Sequence, residues 1–322
     1  SSYLSLQWWK VESKKVWDNF PHRENTIFQS VNSTGNCLLQ EKNSHNCWES
    51  TKIENCKNLF IAGWSRETYD CSSMGASELG YEIAHGGGTY NSKFLLFCFS
   101  ADPLKKVSIH NVEYSVATSA SSNCFGCVGI RGGEYMILNK RYSKTEYKKL
   151  LPKIIEHMNT MPYIDKKGRI YKYGEFFPSE FSPFGYNETT AKEYIELSKE
   201  QGLEQGFNWC DYVSDIKYEF SDYKIPDDIK DVKDDILEKI LKCEDTGKAY
   251  KIIEMEISFY RQAGLPIPRI SPNKRHKDRI DMLLPHKFFE RKCEKCQKKI
   301  QTSYNFNRQE IVYCEKCYQQ EV

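Results

Sequence analysis

No stretch of the chain approaches the roughly 18 uncharged apolar residues that a membrane-crossing helix requires, and its longest greasy run, Phe94 to Phe99, has the length of a strand. No membrane association is expected. Charge of one sign is also scarce. Lys and Arg total 46 against 44 Asp and Glu, a formal +2, so any case for nucleic acid must rest on a local patch. The motif Gly-x-Ser-x-Gly occurs nowhere, so His85-Gly-Gly-Gly88, which has the look of an oxyanion loop, lacks a nucleophile elbow to serve and reads as a plain turn. No basic and apolar leader opens the chain, which starts Ser-Ser-Tyr-Leu. A reducing cytoplasm is therefore the expected location, and the missing Met leaves a processed or truncated start open.

What the chain does have is cysteine. Its 322 residues leave room for one large domain or several small ones, and 39% apolar beside 28% charged residues excludes wholesale disorder. The 13 cysteines cannot pair off completely, and the last four fall as Cys293-x-x-Cys296 and Cys314-x-x-Cys317, a spacing that favours a metal over disulfides.

The first ~140 residues hold few windows of helical period and many Asn, Ser, Gly and Cys, and read as strands and turns. One dipeptide theme repeats there: Asn36-Cys37, Asn46-Cys47, Asn55-Cys56, Asp70-Cys71 and Asn123-Cys124. The first three copies lie 10 and then 9 residues apart, so two steps make about 19 residues, close to one coil of a parallel solenoid. In such a coil each Asn turns the chain and bonds its neighbours along a ladder, while the small Cys packs inward behind it. Leu79 to Leu104 breaks the rhythm, and a β-sandwich is the alternative. Cys124-Phe-Gly-Cys127 suits a redox pair or half a metal site, but without a second pair nearby, inward-packed cysteines are preferred. Asp70 and Glu82 form no acid/base pair that the sequence alone defines.

Helical signals begin at Ser143. Ser143-Lys-Thr-Glu146 is a capping box, and Tyr147, Leu150, Leu151, Ile154, Ile155 and Met158 follow as one apolar stripe, which Pro152 must kink or shorten. This helix is expected to cap the open end of the strand region. Residues 162 to 188 combine three prolines with eight Phe or Tyr and read as an ordered loop laid over a surface. Thr190-x-x-Glu193 opens a second helix ending near Gly202, and Ile225 to Leu241 reads as a third. Residues 222 to 245 hold nine acids against five lysines, which suggests a solvated linker.

The terminal motif is the strongest signal. Cys293, Cys296, Cys314 and Cys317 offer four thiolates on two knuckle-like turns, a donor set that suits tetrahedral Zn2+, with Ile300 to Tyr304 and Ile311 to Tyr313 expected to form a small hairpin between them. A module of about 30 residues has too little core to fold alone, so the metal would supply stability. A closed four-thiolate shell argues for a structural ion rather than a catalytic one.

Upstream, Cys243-x-x-Thr246, a helical stretch from Ile252 to Gln262 carrying Glu256, Phe259 and Tyr260, and Pro268-Arg-Ile-Ser-Pro-Asn-Lys-Arg275 resemble a zinc-ribbon family whose members place Cys-x-x-Cys before the helix and Pro-Arg-x-Cys-Pro-x-Cys-Arg after it. Three of the four ligand positions hold Thr246, Ser271 and Lys274 here, so the resemblance implies a ribbon that has lost its metal. Asn123-Cys-Phe-Gly-Cys-Val-Gly129, Asn139 to Tyr147, Gly174-Glu-Phe-Phe-Pro178, Pro183-Phe-Gly-Tyr186 and Val312-Tyr-Cys-Glu-Lys-Cys317 extend it. Together they resemble a group of uncharacterised cysteine-rich zinc-ribbon proteins from candidate-phyla bacteria. The resemblance covers most of residues 120 to 322 and implies Asn-Cys rungs with zinc ribbons around them, and no activity.

Between Arg269 and Lys299 there are eleven Lys or Arg against four acids, the local footprint a phosphate backbone attracts. The candidate nucleic-acid contacts are Arg269, Lys274, Arg275, Lys277, Arg279, Lys287, Arg291 and Lys292, with His276 and His286 adding charge and Phe288, Phe289, Tyr304 and Phe306 available to stack on bases. The plainer alternative is a basic face balanced by the acidic segment before it. The expectation is an α+β protein: a β-solenoid-like repeat region over 1–142, a helical cap, aromatic loop and acidic linker over 143–242, a degenerate zinc-ribbon-like segment over 243–290, and a four-cysteine zinc ribbon over 291–322. Its expected role is RNA or DNA binding through the basic ribbon on a rigid scaffold, with a protein-interaction scaffold as the alternative and catalysis the least favoured.

Overall fold

The computed structural model describes residues 2–100, 108–212 and 218–321. The chain divides into two compact units, Asn25–Cys210 and the combination of Ser1–Glu24 with Asp211–Val322. The architecture is α+β: a β-solenoid of about nine turns, helices, and a C-terminal four-cysteine cluster.

Parallel strands from Ile27–Phe28 to Glu134–Ile137 stack in sequential order in one sheet. Asn36 pairs with Trp48, Trp48 with Phe60, Phe60 with Ser72, Ser72 with Ala84 and Ala84 with Leu96, so one coil takes 12 residues. The coil of about 19 residues is thereby corrected. Within each coil every third residue has a positive φ, as at Gln40, Asn43, Asn46, Glu49, Lys52, Asn55 and Asn58, and the residue after each turns inward. Glu41, Ser44, Cys47, Ser50, Ile53, Cys56 and Leu59 are those inward residues, all buried. A coil is thus four triplets, each ending on an inward side chain that is small or apolar in nearly every case, Glu41 being the exception among those named.

This triplet explains the dipeptide. The left-handed region is costly for residues with a side chain and least so among them for Asn and Asp, which are therefore favoured at the turn, although Gln40, Glu49 and Lys52 also take it. The next residue must fit a narrow core. Asn46-Cys47, Asn55-Cys56, Asp70-Cys71 and Asn123-Cys124 all follow it. Asn36-Cys37 is out of phase: Cys37 itself holds φ 58° and is exposed, and Leu38 points inward. The spacing of 9 is three triplets, and the spacing of 10 mixes two phases, so neither measures a coil. The expected side-chain ladders do form: Asn46 Nδ2 donates to Asn58 Oδ1 at 2.8 Å, and Asn58 Nδ2 to Asp70 Oδ1 at 2.6 Å.

Nor does the rhythm fail at Leu79. Glu78–Gly87 and Thr89–Phe99 continue the ladder, and the step lengthens only where Leu96 pairs with Val116, 20 residues on. The end of the expected break, including Leu104, lies outside the described residues. Inside, Cys47, Leu59, Cys71, Ile83 and Leu95 stack at 12-residue intervals with almost no exposure. Each such Leu or Ile contributes roughly 1.5–3 kcal/mol of hydrophobic stabilisation.

The helix Lys144–Thr160 begins at the capping box of Ser143 and Glu146 and runs through Pro152. Tyr147, Leu150, Leu151, Ile154 and Met158 pack on Phe125, Tyr135 and Ile137, so the stripe covers the last rungs as expected. Tyr173 and Phe177 of the aromatic loop lie on Tyr114, and the Tyr173 hydroxyl donates to Glu113 at 2.7 Å. The single helix expected after Thr190 is instead two short ones, Ala191–Tyr194 and Lys199–Glu204.

The other unit contains a helix the sequence did not announce, Tyr3–Asn19. Its apolar residues run all round the helix without a stripe, and none is buried. The helix expected over Ile225 to Leu241 is absent; two single 3-10 turns, Ile229–Asp231 and Asp234–Glu238, stand there because Asp228 and Lys233 are extended and restart the chain. Ile229, Val232 and Ile236 join a core with Leu241, Cys243, Tyr250, Ile252, Ile257 and Ile267.

Candidate metal centre

A hairpin places the first two cysteines. Phe289–Lys292 pairs antiparallel with Lys299–Thr302, and Cys293 to Gln297 form the turn between them. The Cys293 amide donates to Lys298 O and the Gln297 amide to Cys293 O, both at 2.8 Å, with Gln297 at φ 61°. The turn therefore folds both Cys293 and Cys296 to the same side. The second pair sits differently from the two-knuckle expectation. Cys314 immediately precedes the helix Glu315–Glu321 and Cys317 lies in its first turn, the Tyr318 amide donating to Cys314 O at 2.9 Å. Val312-Tyr313 pairs in parallel with His22-Arg23 and not with the segment after Ile300, so the expected hairpin is corrected too. Sequence reading missed His22 and Arg23 because a two-residue strand carries no periodicity.

The four sulfurs lie within 4.8 Å of one another, and Cys293, Cys314 and Cys317 are buried while Cys296 is exposed. Four ligands at ~2.3 Å around a tetrahedral ion stand about 3.8 Å apart. The Cys296 and Cys314 sulfurs are separated by 3.8 Å, far beyond a disulfide bond. Donor type, number and spacing all fit, so the cluster can hold a metal ion. Burial pushes the Cys293 thiol up, yet the amides of Cys296, Cys314 and Lys295 outweigh it and bring it down to about 6. Burial and hydrogen bonds to the neighbouring sulfurs hold Cys317 up at about 12. Little apolar burial supports this module: among the described residues Ile300, Tyr304 and Val312 are the buried hydrophobic side chains that pack with its cysteines.

The basic residues come out mostly neutralised. Arg269 stands 3.8 Å from both Asp227 and Glu244 and covers the Tyr3 ring at 4.2 Å. Lys274 pairs with Asp245 at 3.4 Å and with Asp278, Arg275 with Glu256 at 3.2 Å, Lys277 with Asp281, and Arg291 with Glu294 at 2.7 Å. Lys287 lies over Phe289 at 5.6 Å. Among the described residues Arg279, Lys287 and Lys292 make no ion pair. Of the candidate stacking residues, Tyr304 is buried and Phe306 is exposed.

Elsewhere, His85 occupies a rung corner beside Phe97, and Cys124 and Cys127 both point into the core. Asp70 and Glu82, one coil apart, line a shallow cavity of about 420 Å³ with Phe60 and Phe176. Burial, then Asp70 and Glu175, raise the Glu82 carboxyl above its ordinary range. No helix among the described residues is long and apolar enough to cross a membrane. No protein-family model and no curated protein matches the sequence.

Proposed function

We propose that the protein is a non-catalytic scaffold that docks a polypeptide, with a structural Zn2+ stapling its C-terminal module. The carrying observation is the four-thiol cluster: an ion held by four sulfurs has no open position for water or substrate, so it serves folding rather than chemistry. The preference for a polypeptide over nucleic acid is supported by five of the eight candidate cations already facing carboxylates of the same chain. It is also supported by Trp64, Phe97 and Phe99 on the solenoid, which are 64%, 52% and 45% exposed, since aromatic side chains are enriched at protein interfaces. Thiolate ligation requires reduced sulfurs, so the reading places the chain in a reducing compartment such as the cytoplasm. It includes kinship with the cysteine-rich zinc-ribbon proteins that the sequence resembles.

Metal analysis of the intact chain is expected to find zinc bound at the cluster and released by Cys293→Ser with Cys314→Ser; a chain that binds no metal refutes the staple. Nucleic acid remains the second reading, favoured by the surface cations Arg279, Lys287 and Lys292. Binding to single- and double-stranded RNA and DNA across a salt series decides between them. The scaffold reading expects no salt-dependent association. Association abolished by Arg279→Glu, Lys287→Glu and Lys292→Glu together would install the second reading instead.

A further inference from the structure

The unit that holds the metal cluster builds the same local structure twice. Leu241-Lys242 pairs antiparallel with Ala249-Tyr250, as Arg291-Lys292 pairs with Lys299-Ile300 fifty residues later. The Cys243 amide donates to Lys248 O at 2.9 Å, matching Cys293 to Lys298 at 2.8 Å. The Gly247 amide donates to Cys243 O at 2.9 Å, matching Gln297 to Cys293, and both turn residues are left-handed, at φ 67° and 61°. The Glu244 amide reaches Arg269 O at 3.1 Å where the Glu294 amide reaches Val312 O at 3.0 Å. Two residues after each of those acceptors comes a helix start, with Arg275 N donating to Ser271 O at 3.0 Å and Tyr318 N to Cys314 O at 2.9 Å. Four positions are thereby placed in register: Cys243 with Cys293, Thr246 with Cys296, Ser271 with Cys314, and Lys274 with Cys317.

We infer that Cys243, Thr246, Ser271 and Lys274 form a second, metal-independent copy of the four-ligand site, in which hydrogen bonds to the Cys243 sulfur stand where the downstream copy can hold an ion. The Ser271 amide, at the start of the helix Pro272–Met282, donates to Cys243 Sγ at 3.3 Å. The Cys243 side chain is almost fully buried and burial alone would raise its thiol, yet the Ser271 amide and the Thr246 and Ser271 hydroxyls bring it down to about 6. A partly negative sulfur at a helix N-terminus is stabilised by the same donors that otherwise orient a metal ligand. Lys274 does not supply a cation to the sulfur, because its ammonium is taken by Asp245 and Asp278.

The hydrophobic cores explain why one copy manages without an ion. Around Cys243 pack Ile229, Val232, Ile236, Leu241, Ile252, Ile257 and Ile267, whereas among the described residues the buried hydrophobic side chains beside the downstream cysteines are Ile300, Tyr304 and Val312. Apolar burial of seven aliphatic side chains replaces the contribution a metal makes to a module of this size.

The test compares metal content in the full chain for wild type, Cys243→Ala, and Thr246→Cys with Ser271→Cys and Lys274→Cys. Wild type and Cys243→Ala are expected to hold the same number of ions, and the triple variant one more. A loss of one ion in Cys243→Ala, or a folded triple variant with no gain, overturns the inference. Because only differences in count are read, failure of the downstream cluster to bind zinc leaves this comparison intact. Hydrogen exchange gives a second arm should the triple variant not fold. The Ser271 amide is expected to exchange at least tenfold faster in Cys243→Ala and to keep its wild-type rate under a chelator that releases the Glu294 amide. An unchanged rate in Cys243→Ala, or Ser271 and Glu294 released together by the chelator, refutes it.

Discussion

Cysteine does different work in the two units. Along the solenoid it is an inward filler: burial, only partly offset by backbone hydrogen bonds, pushes the Cys47 and Cys71 thiols up to about 12 and Cys56 to about 11. Among the described solenoid cysteines Cys127 alone falls, to about 6, through its hydrogen bond with Cys124. In the other unit, turns and helix starts aim several N–H groups at a single sulfur, and Cys293 and Cys243 fall to about 6 despite burial. Cys317, held by burial and by hydrogen bonds to neighbouring sulfurs, stays up at about 12. The difference lies in the backbone, not the residue. A solenoid rung spends most of its amides on the neighbouring rungs, so an inward thiol meets few of them. The Ile83 amide reaches Cys71 Sγ at 3.3 Å, while the Cys47, Cys56 and Cys71 thiols donate to carbonyls, whereas the knuckle aims several amides at Cys293. Stability is expected to follow the same division: stacking is shared among many equal neighbours, while the proposed ion would hold the small module at one point.

Metal removal tests this contrast most severely. Structural Zn2+ in small modules is worth about 10–16 kcal/mol, more than such a module holds on its own. Chelation is expected to abolish amide protection at Cys293 and Glu294 and to leave the Ile83 and Leu95 amides of the ladder unchanged, read by hydrogen exchange. Loss at both places would erase the distinction.

A smaller effect lies inside the solenoid, where Glu41 occupies an inward corner at 2% exposure. Burial raises its carboxyl from 4.5 to about 7, the Ser50 hydroxyl pulling the other way. The folded state therefore holds a proton that the unfolded chain releases, and stability is greatest below pH ~4.5 and falls as pH rises towards ~7, by roughly 3 kcal/mol. Urea midpoints of the ladder are expected to show that slope in the wild type and not in Glu41→Gln. Equal slopes would mean that Glu41 is not the buried acid.

The smallest test concerns the turn. Asn58 combines φ 56° with two ladder hydrogen bonds. Asn58→Ala loses both and keeps the left-handed cost, about 1–2 kcal/mol, while Asn58→Gly loses only the bonds. Calorimetry is expected to rank the melting temperatures Asn, then Gly, then Ala. Ala above Gly would show that the turn conformation contributes nothing.

Local chemistry was legible wherever it was contiguous. The capping box at Ser143, the stripe from Tyr147 to Met158, and the two Cys-x-x-Cys pairs each sit within a few residues; the first two appear as read, and the four sulfurs do come together, although the second pair stands at a helix start and not on a knuckle. The Asn-Cys theme announced turns and inward cysteines but misgave the coil length, because Asn36-Cys37 repeats the letters in another phase. The helix Tyr3–Asn19, with no stripe, and the 3-10 turns around Ile229, which share helical spacing, left no signal that distinguishes them.

The sequence by itself determined where the chain turns and which sulfurs form a ligand set, because φ preference and ligand spacing are properties of neighbouring residues. Tertiary structure alone decided that the coil closes on 12 residues, that Val312-Tyr313 pairs with His22-Arg23, and that most of the basic residues face carboxylates. Those outcomes join residues far apart in the chain, and their energies depend on distances that no local pattern encodes.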